Sequence, residues 1–111
     1  MNLNREIAEK IFGYEITEYV SEEHPDGYYK GKIFGLKDEP ISNIPILGYS
    51  TNIKHAMEVE AEMYRQGFSI IISRYYDNGD YCVEFDKSDI IVRDKALSKA
   101  ICLASLEAIK G

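Results

Sequence analysis

Residues 68–86 read Phe68-Ser69-Ile70-Ile71-Ile72-Ser73-Arg74-Tyr75-Tyr76-Asp77-Asn78-Gly79-Asp80-Tyr81-Cys82-Val83-Glu84-Phe85-Asp86. The first half is β-branched and aromatic, the composition that packs well on a pleated surface. Asn78-Gly79 is the dipeptide favoured where both central residues of a tight turn need positive φ. Tyr81–Phe85 then returns as a second strand. A two-residue turn here sets Tyr76 opposite Tyr81, Arg74 opposite Val83 and Ile72 opposite Phe85. Those six share a face with Phe68 and Ile70. Ser69, Ile71, Ser73, Tyr75, Cys82 and Glu84 share the other.

Helices flank this hairpin. Residues 51–66 carry a helical period with Ile53, Ala56, Met57 and Met63 or Tyr64 on one side. Glu58, Glu60, Glu62, Lys54 and Arg65 lie on the other. Ser50 or Thr51 supplies the N-cap and Gly67 ends the helix. Residues 95–109 form a last helix with Leu97, Ala100, Ile101, Ala104 and Ala108 along a stripe that Cys102, Leu103 and Leu106 widen almost all round. Near the start, Leu3, Ile7 and Ile11 with Ala8 predict a helix over 2–12, capped by Asn2 and closed by Gly13. Between these, Tyr14–Val20 and Tyr28–Phe34 read as strands separated by a Pro25-Asp26-Gly27 turn. Gly35–Gly48, with Pro40 and Pro45, reads as a long irregular loop. The expectation is one α/β domain over 1–111, with an antiparallel sheet centred on hairpin 68–86.

With 111 residues, 45% of them hydrophobic, the chain is long enough to bury a core without metal or disulfide staples and too apolar for a disordered tail. Apolar runs such as Ala100–Ala104 are too short to cross a bilayer. Met1–Glu6 lacks an apolar segment of the secretory kind. The reading is a cytoplasmic protein with no membrane association. A net charge of −6, spread along the chain, argues against a surface that tracks nucleic-acid phosphates and reads as solubility. It leaves room for a small anion in a local pocket. Cys82 and Cys102 sit inside apolar periodic segments and read as reduced, half-buried thiols; a disulfide between strand and helix is the alternative.

No catalytic set assembles. His24 and His55 lack metal-ligand spacing with each other or with a cysteine, no glycine-rich phosphate loop is present, and no carboxylate pair has an apolar setting. The expectation is a non-enzymatic protein without metal or cofactor. Binding chemistry has better candidates. Arg74 lies on the apolar face of the hairpin, where a guanidinium needs a partner. With Tyr75, Tyr76 and Tyr81 it forms an anion clamp flanked by rings; the plainer reading is an arginine that snorkels out at the tip or pairs with Asp77 or another carboxylate. Nine tyrosines and no tryptophan suit contact surfaces, with core packing the plainer use. Arg93 and the 35–48 loop complete the candidate pocket. Tyr49-Ser50-Thr51, opening the central helix, offers an anion site at a helix start or simple capping.

Asn4–Tyr14, a helix ending in a glycine followed by an aromatic, resembles the opening of the phage ABA-sandwich domain family. The Tyr49-Ser50-Thr51 helix start and Ala96–Gly111, with Ala100-Ile101-Cys102-Leu103-Ala104 at its centre, also look like that family. The resemblance spans about residues 4–110. It departs from the family at Tyr14, where tryptophan is common, and in the short, proline-poor approach to the last helix. It implies a three-layer α/β/α sandwich of phage or prophage origin and carries no chemistry. In size and layout the chain is also similar to phage Thoeris anti-defence proteins, which bind a cyclic ADP-ribose signal and withhold it from an immune effector; their ligand residues have no one-to-one match here.

Two functions follow as expectations. One is a counter-defence sponge in the host cytosol that binds a nucleotide-derived signal through Arg74, Tyr75, Tyr76, Tyr81, Arg93, Tyr49, Ser50 and Thr51. The other is a protein–protein interaction module that inhibits a host or phage protein through a tyrosine-rich face. Either acts as a homo-oligomer.

Overall fold

The computed structural model describes residues 3–16, 28–32, 40–74, 79–86 and 88–110. The chain divides into two compact units, Met1–Leu47 and Gly48–Gly111.

The first unit opens with α1 (Leu3–Glu6), which widens into a π-helical segment over Ile7–Ile11. The widening is visible in the Phe12 N–H, which donates to the Ile7 carbonyl at 3.3 Å, and in the Tyr14 N–H, which reaches back to Ala8 at 2.9 Å. Ile7, Ala8 and Ile11 are buried, the stripe expected from their spacing. The Phe12 and Tyr14 rings stack at the exit, with centroids 5.6 Å apart. Three antiparallel strands follow: β1 (Glu15–Ile16), β2 (Tyr28–Lys32) and β3 (Pro40–Pro45), in that spatial order. β1 sets Glu15 opposite Lys30, and β2 sets Tyr29 opposite Ile44, with a register shift between Tyr29 and Gly31. β3 corrects the expectation of an irregular loop across 35–48. Prolines are excluded from central strands because they donate nothing to a ladder. β3 is an edge strand, and its prolines stand at its two ends, with Ile41-Ser42-Asn43-Ile44 between them.

The second unit holds α2 (Ile53–Arg65), β4 (Ile70–Arg74), β5 (Tyr81–Phe85), β6 (Ile91–Asp94) and α3 (Leu97–Lys110). Its sheet is antiparallel in the order β4-β5-β6. α3 lies against β5 and β6, and α2 lies against α3. The hairpin forms where expected, but its register corrects the sequence reading. Ile70 faces Phe85, Ile72 faces Val83 and Arg74 faces Tyr81. The ladder is displaced by two positions, so the reversal takes six residues, 75–80, rather than two. The tip is closed by a side chain: the Arg74 Nε–H donates to the Gly79 carbonyl at 3.1 Å. A displacement of two preserves every face, whereas a displacement of one would invert them all. Ile70, Ile72, Arg74, Tyr81, Val83 and Phe85 therefore do share a face, joined from β6 by Val92 and Asp94. Tyr76 and its pairing with Tyr81 lie outside the described residues as far as Tyr76 is concerned; Tyr81 is occupied by Arg74.

α2 also departs from expectation. Its N-cap is Asn52, whose Oδ1 accepts the Lys54 N–H at 3.0 Å. Ser50 and Thr51 are not caps, because the Gly48 carbonyl accepts from the Thr51 and Asn52 N–H groups and winds Tyr49–Thr51 into a turn ahead of the helix. The buried line is Ala56, Val59 and Met63, while Ile53, Met57 and Tyr64 are exposed. Glu62, expected on the wet side, is buried and held by Arg65 Nη1 at 2.9 Å. The helix ends as expected: Gly67, at φ 97°, donates to the Tyr64 carbonyl, and Phe68 donates to Met63. This paired closure needs the left-handed conformation that glycine adopts without strain.

The core of this unit is Ala56, Val59 and Met63 from α2, Val83 and Phe85 from β5, and the broad face of α3 from Ala100 to Ala108. Both cysteines are free and buried, Cys82 on β5 and Cys102 on α3. Ser105, fully buried on α3, has a hydroxyl with no hydrogen-bond partner among the described residues. Burying an unpaired hydroxyl is costly, and serine is a poorer helix former than alanine. Ser105→Ala is therefore expected to stabilise the protein by about 1 kcal/mol, read as a rise in the midpoint of thermal unfolding; a fall would show that the hydroxyl is satisfied. Among the described residues no helix is long and apolar enough to cross a membrane.

Candidate functional site

The tip end of the β4–β5 hairpin concentrates the charged and aromatic residues singled out in the sequence. Arg74 ends β4 and Tyr81 begins β5, directly opposite. The Arg74 Cζ stands 5.0 Å from the centroid of the Tyr81 ring, within the range of a cation–π contact. Its Nε is tied to the Gly79 carbonyl. Gly79 has φ 75°, so glycine serves the turn, while its carbonyl holds the guanidinium. The result is an exposed arginine fixed in plane by a ring beneath it and a carbonyl at its edge. An arginine of this kind presents a planar fork of donors that has already lost much of its rotamer freedom.

The remaining candidates divide into three groups. Tyr75 and Tyr76 lie outside the described residues. Arg93 belongs to the hairpin end but not to Arg74's face: it sits opposite Cys82, on the other side of the sheet. There its Nε pairs with Asp80 Oδ2 at 3.3 Å. The register therefore separates two arginines that the sequence reading placed in one pocket. Tyr49, Ser50 and Thr51 form the turn before α2 rather than its first residues. Tyr49 is only 1% exposed, so its ring is a core residue rather than a contact surface. The 35–48 segment contributes β3 in place of a pocket-forming loop, and its residues 35–39 lie outside the described residues.

Sequence reasoning missed three partners. Gly79 was read as a turn residue, and its carbonyl proves to be the anchor of Arg74. Asp80 has an even spacing from Cys82, which puts it on Cys82's face, and the register brings Arg93 to that face. Asp94 was not singled out. It lies across from Tyr81, which completes a row Arg74–Tyr81–Asp94 over all three strands. Its Oδ1 accepts the Ala96 N–H at 2.9 Å at the entry to α3, and its Oδ2 is 3.9 Å from Lys99 Nζ. The row alternates cation, ring and carboxylate, so only its β4 end offers an exposed positive group on a prepared platform. Among the described residues, no group of three His, Cys, Asp or Glu side chains is placed to hold a metal ion.

Three comparisons bear on this chain. The family model described as phage ABA sandwich domain matches residues 5–106. The crystal structure of a phage protein from Bacillus cereus is similar, with a TM-score of 0.67 and 23% sequence identity, covering 94% of this chain and 85% of that one. At that identity the likeness speaks for the fold alone. Among curated proteins there is no match to this chain.

Proposed function

The chain belongs to the phage ABA sandwich domain family, and we propose that it acts by binding rather than by catalysis, taking a small anionic, nucleotide-derived ligand at the hairpin tip and holding it unchanged. In a counter-defence role the ligand is an immune signal such as a cyclic ADP-ribose isomer or a cyclic nucleotide. The observation that supports this reading is Arg74, exposed yet fixed over Tyr81 and clipped to Gly79. A phosphate or pyrophosphate would meet the guanidinium fork, and a base would extend the stack of rings. Tyr75 and Tyr76, next in the chain, are the proposed further contacts. Arg93, Tyr49, Ser50 and Thr51 are not needed by this reading.

Calorimetric titration with cyclic ADP-ribose isomers and cyclic dinucleotides tests it. The expected result is heat of binding and a raised unfolding temperature with at least one of them, both lost in Arg74→Ala and weakened in Arg74→Lys, which keeps the charge but loses the planar fork. Absence of heat and of any thermal shift across the panel overturns the reading.

A second reading, an interaction module for a host or phage protein, is favoured by one observation. Ile53, Met57 and Tyr64 fall within a narrow sector of α2 and are all exposed. Scattered exposed apolar residues are ordinary, but a line of them along one helix suits a protein contact. Capture of a partner that is lost in Tyr64→Asp and kept in Arg74→Ala would favour this second reading over the first.

A further inference from the structure

The described residues contain four sheet edges, and three of them are protected against pairing with another chain. β1 carries the charge of Glu15 in its described part, β3 has a proline at each end, and half of β6 is the charged pair Arg93-Asp94. Proline and charge are usual devices that blunt an edge. β4 has one of them, and only at its turn end, where Arg74 stands. From Ile70 to Ser73 it carries no charge, no proline, no glycine and no bulge.

Its sequence is also that of an interior strand. Ile70-Ile71-Ile72 is a continuous apolar run, the pattern of a strand covered on both faces, rather than the alternation of a half-buried one. Ile71 and Ile72 point to opposite faces, yet they are 45% and 39% exposed, while Val83, opposite Ile72 on β5, is fully buried. Exposure on both faces marks the whole strand as standing clear of the packed part of the unit, which ends with α3 over β5 and β6.

We propose that β4 pairs with β4 of a second copy of this chain, antiparallel, about a two-fold axis at Ile71. An antiparallel edge is complementary to itself, and a two-fold pairing closes the assembly. This register sets Ile71 on Ile71, Ile70 on Ile72 and Ser69 on Ser73, so apolar meets apolar and hydroxyl meets hydroxyl. Arg74 falls opposite Phe68, a cation beside an aromatic ring. The two Arg74 residues stand three positions on either side of the axis, about 20 Å apart, so the strand's only charges do not repel each other. A parallel pairing in register would instead stack them. The product is a continuous sheet in the order β6-β5-β4-β4-β5-β6 with α3 of both copies on the same face.

Sedimentation equilibrium of the full chain across a wide range of protein concentration tests the proposal. A mass of twice 12.7 kDa is expected, falling to the monomer mass in Ile71→Lys, which places two ammonium groups face to face at the axis while altering only an exposed residue. Amide hydrogen exchange on the wild-type chain supplies an independent reading: amides within Ile70–Arg74 gain protection as concentration rises. A wild-type monomer at every concentration overturns the proposal and leaves the edge to a strand of another protein. A dimer that survives Ile71→Lys, or one whose β4 amides gain no protection, overturns it as well.

Discussion

Phe85→Ala is expected to lower the unfolding free energy by about 3–5 kcal/mol, the cost of truncating a buried phenylalanine. Phe85 sits on the central strand of the second unit's sheet and is 1% exposed. Its ring meets Phe68 edge-on, with centroids 5.8 Å apart at 70°, a geometry worth about 0.5–1.5 kcal/mol beyond the area buried. Collapse of the neighbours into the vacated volume is hindered, because β5 is flanked by β4 on one side and β6 on the other. For a chain of 111 residues the total stability is on the order of 5–15 kcal/mol, so the loss is a large share of the whole. Urea unfolding followed by circular dichroism measures it; a loss below about 1 kcal/mol would place Phe85 outside the core. Phe68→Ala should cost distinctly less, because Phe68 is only half-buried. Phe85→Ala does not touch Tyr81, which lies about 13 Å along β5, or Arg74 opposite it, so that variant, if still folded, should retain any ligand bound at the tip.

That separation of packed end from polar end was legible in the sequence, and the reason is parity. Faces depend only on odd or even position, and the composition of 68–86 determines parity well. Register depends on how the turn closes. The Asn-Gly dipeptide argued for the shortest closure, but a long side chain from the strand, Arg74, reaches the Gly79 carbonyl and stabilises a wider reversal. The same limit appears in α2. Ile53, Met57 and Tyr64 make one helical stripe, and Ala56, Val59 and Met63 make another. Periodicity shows both but not which one a neighbour covers. α3 packs against α2, and the stripe that is buried is the one that contains the small Ala56. The strand between Pro40 and Pro45 was hidden because proline argues against a strand unless the strand is known to be an edge. At the candidate site, residue types pointed to the hairpin tip, yet the pairing Arg93–Asp80 on the opposite face and the burial of Tyr49 follow from three-dimensional placement alone. The caps at Gly13 and Gly67 were readable because they depend on local backbone conformation.

Cys102 should make stability fall with alkaline pH in a way that one substitution removes. The thiol is fully buried on α3, and burial pushes it from its ordinary value of 9.0 up to about 12, because a thiolate in apolar surroundings loses its hydration without compensation. In the unfolded chain the thiol regains water and ionises near its ordinary value. Below pH 9 both states hold the proton, and the contribution of Cys102 to stability is fully present. Between pH 9 and 12 the unfolded state releases the proton while the folded state keeps it, so unfolding is favoured by about 1.4 kcal/mol per pH unit and by about 4 kcal/mol at the upper end. Every other ionisable group is common to the wild-type and variant chains. The difference between wild type and Cys102→Ala isolates the thiol. At pH 8 the variant should be the less stable, by the cost of a small cavity. As pH rises past 9 that deficit should shrink, vanish and reverse, whereas a difference that stays constant from pH 8 to 11 would show that the thiol reaches water in the folded state. The same burial makes Cys102 unreactive toward alkylating agents at neutral pH in the folded chain, so its rate of modification at alkaline pH should follow the population of unfolded protein rather than the thiolate chemistry of an accessible site.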